Sequence, residues 1–255
     1  MSSDGYAIDL SGKHALVTGA GQHTGREFAK GLAQAGASVS VNDVVRDKAQ
    51  SVCEEIRAFG GKADPLVFDI ADLAACQDAL RSARPDIVVN NVGGVDAIVH
   101  PFVHFGKTDP ASWDRLVRLN LSGVMNVTYA ALPHMSKRGW GRFVTIISDA
   151  ARRGERGMAV YGAAKAASAG FMRGIAAEYG FEGITANAIA FGTIKYEQHD
   201  ATPPDVLKKL LATYAVKREG RPSDPVGLLL LLASDHGEWI TGQVIPVDGG
   251  FTNAL

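Results

Sequence analysis

Tyr161 and Lys165 stand four residues apart in a stretch with helical patterning, so both side chains leave one helix face. A phenol with an ordinary pKa of about 10 is a poor base at neutral pH. An ammonium beside it stabilises the phenolate and lowers that value, and such a pair can move a proton to or from an alcohol oxygen. The spacing alone says little, since many helices carry it by chance. Ser148 sharpens it. Thirteen residues upstream of Tyr161, at the end of a β-branched run, its hydroxyl can hold a substrate oxygen and polarise a carbonyl. Asn120, in Leu119-Asn120-Leu121-Ser122-Gly123, interrupts a long helical pattern at a cost in propensity. It reads either as the holder of a water linking Lys165 to solvent or as a helix irregularity satisfying backbone groups.

A second cluster could bind the cofactor of such chemistry. Thr18-Gly19-Ala20-Gly21-Gln22-His23-Thr24-Gly25 joins a short apolar run to a helical one. Glycines there allow a sharp turn and bring backbone N–H groups to a pyrophosphate at a helix N-terminus. About 20 residues on, Asn42-Asp43 ends the next apolar run, where a carboxylate accepts from ribose hydroxyls and repels a 2′-phosphate. NAD is therefore favoured over NADP. The plainer reading of Asp43 is a cap on the following turn. Asp69, with Ile70 after it, occupies a similar rim position and could meet the adenine; Asn90-Asn91-Val92-Gly93 offers backbone amides on the same rim.

These residues need strand ends and helix starts to carry them. Residues 15–18, 39–41, 66–68, 87–89, 143–147, 185–189 and 244–247 read as strands, mostly as continuous apolar runs expected of a sheet covered on both faces. Residues 25–35, 48–59, 73–83, 111–137, 159–179 and 224–233 read as helices. The alternation predicts an α/β fold: a single Rossmann-type doubly wound parallel sheet of about seven strands with helices on both faces. No linker or repeat divides the 255 residues, so one domain is expected, with the irregular stretch 195–222 as a substrate flap.

Composition excludes other classes. A formal net charge of −1 gives no field to recruit nucleic acid or an anionic membrane. The longest apolar run, 226–233, is far short of the ~20 residues that span a bilayer. Met1 to Leu10 lacks a basic region followed by an apolar one, and two cysteines, Cys53 and Cys76, suit a reducing compartment better than a disulfide framework. A soluble cytoplasmic protein is expected. His100 and His104 flank Pro101 without an acidic partner at suitable spacing, so no metal is expected.

Taken together, the chain resembles a short-chain dehydrogenase/reductase of the compact single-domain branch, from Lys13 to Gly250. The family's Thr-Gly-x-x-x-Gly-x-Gly falls on residues 18–25, and its Asn-Asn-Ala-Gly on 90–93. Its Asn, Ser, Tyr and Lys tetrad falls on Asn120, Ser148, Tyr161 and Lys165, and its closing signature on the stretch from Ser234 to Gly250. The resemblance implies that Tyr161 is the general acid for ketone reduction and base for alcohol oxidation. Lys165 also binds the nicotinamide ribose, Ser148 positions the reacting oxygen, and Gly192 and Ile194 lie beside the nicotinamide. It further implies a homotetramer with residues 159–179 at a subunit interface. His23 replaces the family's middle glycine, where its side chain would crowd the phosphates or hydrogen-bond them. Phe191 and Val92 replace a proline and an alanine.

Substrate-facing positions are expected at Gly94, Val95, Asp149, Arg152, Met158, Phe191 and in the flap. The run Ser148-Asp149-Ala150-Ala151-Arg152 is similar to that of family members acting on cyclic or aromatic hydroxyacyl-CoA thioesters. Arg152, Arg153, Lys208 and Lys209 read either as contacts for a phosphorylated carrier (CoA or a carrier protein) or as solvated charges. An NADP-dependent 3-oxoacyl-carrier-protein reductase is the alternative. A non-catalytic dinucleotide sensor would be expected to lack the tyrosine or the lysine.

Overall fold

The computed structural model describes residues 7–94, 103–196 and 204–252. Within them, β1 (His14–Val17), β2 (Ser38–Asn42), β3 (Lys62–Leu66), β4 (Ile87–Asn90), β5 (Gly141–Ser148), β6 (Ile184–Phe191) and β7 (Val244–Val247) form one parallel sheet. The strand order is β3-β2-β1-β4-β5-β6-β7, the doubly wound arrangement, with the direction of winding reversing between β1 and β4. The helices are α1 (His23–Gln34), α2 (Arg46–Ala58), α3 (Leu73–Ala83), α4 (Ala111–Val117), α5 (Gly123–Arg138), α6 (Ala150–Arg153), α7 (Ala159–Tyr179), α8 (Pro204–Ala212) and α9 (Val226–Ala233).

Both faces of the sheet are buried because successive strand residues point opposite ways. Ala15 and Val17 of β1 join a core with Phe28 and Leu32 of α1, Val52 and Ile56 of α2, and Leu229 and Leu232 of α9. Leu16, between them, joins a second core with Leu80 of α3, Val127 and Met135 of α5, and Met172 and Ile175 of α7. That double coverage is why most strands read as unbroken apolar runs. No helix among the described residues is long and apolar enough to cross a membrane.

The elements depart from the sequence expectation where local chemistry intervenes. β3 lies at 62–66, not 66–68, directly after the Gly60–Gly61 turn. As an outer strand it buries only part of its surface and so carries polar residues and Pro65, while Val67 beyond it is exposed. The opposite outer strand, β7, also carries a proline, Pro246. The helix expected over 111–137 is interrupted by a π-helical turn over Arg118–Ser122, centred on Asn120. Two short helices were not expected: α6, and α8 within the stretch read as an irregular flap. Residues 197–203 of that flap, and Val95 and His100, lie outside the described residues.

Candidate active site

The cradle is built where β1 and β4 lie side by side. The Thr18 hydroxyl accepts the N–H groups of Asn91 (3.0 Å) and Val92 (3.2 Å), which lays the turn after β4 along the turn after β1. Asn91 in return donates from Nδ2 to the carbonyls of Thr18 (2.9 Å) and Gly19 (3.2 Å). From the neighbouring strand, Asn42 donates to Leu66 O and Phe68 O, both at 3.0 Å, so β2 and the end of β3 are pinned to the same rim.

The cradle has no room for side chains. A Cβ on Gly21 would lie 2.5 Å from Asp43 Oδ2, and one on Gly25 would lie 2.6 Å from Asn91 Nδ2 and strike the Gly19 carbonyl. α1 opens here without a side-chain cap, so its first-turn N–H groups face outward with no intrahelical acceptor, the setting that takes a phosphate. These residues fit a dinucleotide diphosphate. Gln22 Oε1 accepts from Lys48 Nζ at 2.9 Å. His23 adopts φ 51°, the left-handed region where glycine would be easier, and its ring packs 4.4 Å from that of Tyr196. Thr24 Oγ1 meets the Tyr196 hydroxyl at 3.4 Å.

Asp43 stands at the edge of the cradle. Its Oδ1 accepts the Val45 N–H at 2.9 Å, the turn-capping role, while Oδ2 faces Gly21 and the cradle. Asp69 is exposed and accepts the Ala71 N–H at 2.9 Å. The buried Ile70 side chain packs on Gly123, and its carbonyl accepts from Asn126 at 2.9 Å.

Ser148 is the last residue of β5. α7 reaches it because Gly162 has no side chain: a Cβ there would lie 2.8 Å from the Ala150 carbonyl. The first turn of α7 therefore seats on α6 and brings Tyr161 within hydrogen-bonding reach of the Ser148 side chain. Burial pushes the Tyr161 phenol up to about 12, opposed by the bond with Ser148. Lys165, one turn along, donates to Ile146 O at 2.9 Å, and burial pushes its ammonium down to about 8. The expectation that Lys165 lowers the phenol needs correction. The ammonium reaches back to β5, and burial dominates at the phenol.

Asn120 is fully buried and fully committed. Its Oδ1 accepts the Gly94 N–H at 3.0 Å, and its Nδ2 donates to Gly94 O at 3.1 Å and Leu116 O at 3.0 Å. The side chain thus serves as the helix irregularity that satisfies backbone groups. Ser168 completes the arrangement by donating to Asn120 O at 2.7 Å. Sequence reading missed Ser168; its position seven residues after Tyr161, on the same helix face, was the available signal. Thr18, the first residue of the glycine motif, and Asn42, which precedes Asp43, hold the rim together, a role that spacing alone does not show.

The remaining expected positions divide. Met158 lines an apolar pocket with Phe105, Trp113 and Leu116 that reaches Tyr161. Phe191 packs in the core, its ring 6.2 Å from that of Phe28, so its side chain does not line that pocket. The loop after it is held by Tyr214, whose hydroxyl accepts the Thr193 N–H at 2.9 Å, and Ile194 is buried. Arg152 is bound to Thr252, Arg153 lies over the Phe251 ring at 4.1 Å, and His104 accepts from Arg156 Nε at 3.1 Å.

Lys165 also has a stability consequence. Because burial weakens its hold on a proton in the folded chain, it destabilises the fold fully below about pH 8 and progressively less as pH rises toward the ordinary lysine value. Lys165→Met is therefore expected to abolish turnover yet raise stability at pH 7 by about 1–2 kcal/mol, a gain that shrinks above pH ~9. Urea denaturation of the two proteins at pH 7 and at high pH checks this, and a variant less stable at pH 7 contradicts it.

A glycine-lined anion cradle at the strand-order reversal, with phenol, hydroxyl and ammonium on the same rim, defines a Rossmann-type dinucleotide oxidoreductase. The profile of the family described as "Enoyl-(Acyl carrier protein) reductase" matches residues 19–252. The chain is 34% identical over 248 residues to the (2S)-[(R)-hydroxy(phenyl)methyl]succinyl-CoA dehydrogenase subunit BbsD of Thauera aromatica, covering 95% of this chain and 98% of that protein. It superposes with a TM-score of 0.91 and 32% identity on a gluconate 5-dehydrogenase from Burkholderia cenocepacia in complex with NADP and tartrate, covering 98% of each chain. It also superposes on a 7α-hydroxysteroid dehydrogenase complexed with NADH and 7-oxo glycochenodeoxycholic acid, with a TM-score of 0.90, 33% identity and 98% of each chain covered. The chain belongs to the short-chain dehydrogenase/reductase family, whose members oxidise alcohols and reduce carbonyls.

Proposed function

We propose that this protein is an NAD(H)-dependent enzyme that interconverts a secondary alcohol and a ketone, with a hydroxyacyl/oxoacyl thioester as its substrate class. The observation that carries the reading is the Tyr161 phenol within hydrogen-bonding reach of Ser148, on the rim of a cradle in which Gly21 and Gly25 leave no room for a Cβ.

The dinucleotide supplies the hydride acceptor or donor. Gly19, Gln22, His23, Thr24 and Gly25 would hold its diphosphate, Asp43 its adenosine ribose, and Asp69 and Ile70 its adenine. Asn91, Val92 and Gly93, with Gly192, Ile194, Tyr161 and Lys165, would hold its nicotinamide half. In ketone reduction the protonated Tyr161 Oη gives its proton to the carbonyl oxygen as the carbon gains hydride; in alcohol oxidation its phenolate takes the hydroxyl proton as the carbinol carbon loses hydride. Ser148 holds the reacting oxygen. Lys165 presents its ammonium from a buried seat on Ile146 O, and Asn120 sets Gly94 and the π-helical turn behind it.

The apolar pocket beside Tyr161, with Phe105, Trp113 and Met158, suits an apolar or aromatic acyl group, and the relative named for a phenyl-bearing succinyl-CoA points the same way. Gly94 and Arg152 are assigned to the substrate side as part of the same proposal. A single catalytic domain, a homotetramer and a cytoplasmic location are part of the proposal, the last resting on the buried, unpaired Cys53 and Cys76.

The test is a spectrophotometric screen of NAD and NADP against secondary alcohols, ketones and hydroxyacyl-CoA esters. Turnover with NAD and a thioester is expected; equal or better turnover with NADP overturns the cofactor assignment. Asp43→Ser should shift the NADP-to-NAD ratio of kcat/KM upward by about 10²-fold, the scale of the few kcal/mol that juxtaposed like charges cost. An unchanged ratio leaves Asp43 only its turn-capping role.

A further inference from the structure

Directly after Ser148 comes a carboxylate that the acid–base chemistry does not use. Asp149 is buried, and neither of its side-chain oxygens receives a hydrogen bond. Its nearest cation, Arg152 on α6, stands 3.6 Å from Oδ1, too far for a hydrogen bond. Asp248, just beyond β7, is also buried, and the register Ser148–Phe191–Val247 sets Asp149 and Asp248 one step past the same row of the sheet, where the Asp248 charge acts on Asp149. Asp248 takes every local donor: Gly250 N–H to Oδ1 at 2.9 Å, and Thr252 N–H (2.8 Å) and hydroxyl (2.5 Å) to Oδ2. Between the two aspartates run Phe191, whose carbonyl accepts the Asp149 N–H at 3.0 Å, and Gly192. A Cβ on Gly192 would lie 3.2 Å from the Asp248 side chain and 3.1 Å from the Tyr214 hydroxyl.

We propose that Asp149 and Asp248 form a proton-sharing pair that ties the ends of β5, β6 and β7 together and so positions Ser148 against Gly192. The inference rests on the oxidoreductase reading for its consequence, though not for the existence of the pair. Two buried carboxylates with donors for one cannot both ionise cheaply, so one proton stays between them. Asp248, served by three donors, is the acceptor. Burial alone would raise it, but Thr252, Gly250 and Arg152 hold it below the ordinary aspartate value. Asp149 is the donor, pushed up to about 6 by burial first and the Asp248 charge second, against the pull of Arg152.

Charge around the pair is sparse. Arg152 is the one cation that faces it among the described residues. Arg153 is turned onto Phe251, β6 brings only Phe191 and Gly192, and the loop after α8 brings the Tyr214 hydroxyl. With the proton shared, a net charge of −1 faces Arg152 and the three strand ends are latched. Once it is lost, two negative charges face one guanidinium in a space nearly closed to water, and the latch loosens. Asp149 is thus a positioning residue: it acts through Ser148 and the Gly192 loop and does not touch the reacting atoms.

The test uses the full-length protein. Infrared titration of the unsubstituted chain is expected to show one protonated carboxyl band disappearing near pH 6, absent in Asp149→Asn. A protein whose carboxyls are all ionised by about pH 5 overturns the pair, whatever the enzyme turns over. The amide that Asp149→Asn introduces can donate to Asp248 as the shared proton does, at any pH. The variant-to-wild-type ratio of kcat should therefore rise about threefold to tenfold between pH 5 and 8. A ratio flat with pH overturns the positioning role while leaving the oxidoreductase reading intact. The thermal midpoint of wild type should fall relative to the variant between about pH 4 and 7, because the folded chain keeps a proton that the unfolded chain releases there.

Discussion

Tyr161→Phe is expected to lower kcat/KM by about 10³-fold or more while leaving the dinucleotide dissociation constant within about threefold. The substitution removes one oxygen and keeps the ring, so α7 still seats on α6 through Gly162 and Ala150. What disappears is the group proposed to exchange a proton with the substrate oxygen, and positioned acid–base groups contribute roughly 10²–10⁴-fold. Hydride transfer without it would leave charge on the alcohol oxygen, with only Ser148 to meet it. Folding should not suffer, because the phenol is half-buried and its hydrogen-bond partner Ser148 also accepts the Ala150 N–H at 3.2 Å. Stopped-flow rates with fluorescence binding titrations separate the two effects. A variant within tenfold of wild type would remove Tyr161 from the proton path.

Gly93→Ala should be nearly as damaging with only one added methyl. Gly93 has φ 151°, outside the range open to other residues at low cost, and its absent side chain is where two functional groups converge. A Cβ there would lie 2.6 Å from Asn120 Oδ1 and would strike Lys165 Nζ. Lys165 would have to leave Ile146 O, or Asn120 its bonds to Gly94, and both are fully buried. The expected outcome is a loss of about 10²-fold in kcat with about 2–3 kcal/mol of stability, combining overpacking with backbone strain. Gly227→Ala on α9 is the control. Its Cβ would meet nothing within 4 Å, so activity should hold and stability should rise by about 0.5–1 kcal/mol. Comparable behaviour of the two variants would contradict the crowding at Gly93.

Much of this arrangement was legible from residue order because hydrophobic periodicity and strand-end placement are local. α3 at Leu73–Ala83 and β7 at Val244–Val247 fall where the pattern puts them, α3 opening on Asp72, whose side chain accepts the Ala75 N–H at 3.1 Å. β3 was misplaced because an outer strand need not be continuously apolar. The π-helical turn could not be drawn from periodicity, since it goes with the bonds of Asn120 to Gly94 and Leu116 and the Ser168 bond to its carbonyl. The same limit applied to electrostatics: Tyr161 and Lys165 share a helix face, but where the ammonium reaches depends on β5. The pairing of Asp149 with Asp248 joins residues 99 positions apart, beyond any pattern of spacing.

Pro65 and Pro246 give the sheet a property that its active rim does not. Each border strand carries a residue without a backbone N–H, so a foreign strand approaching from either side would meet an interrupted row of donors. Sideways growth into fibrillar aggregates is thereby discouraged at both margins.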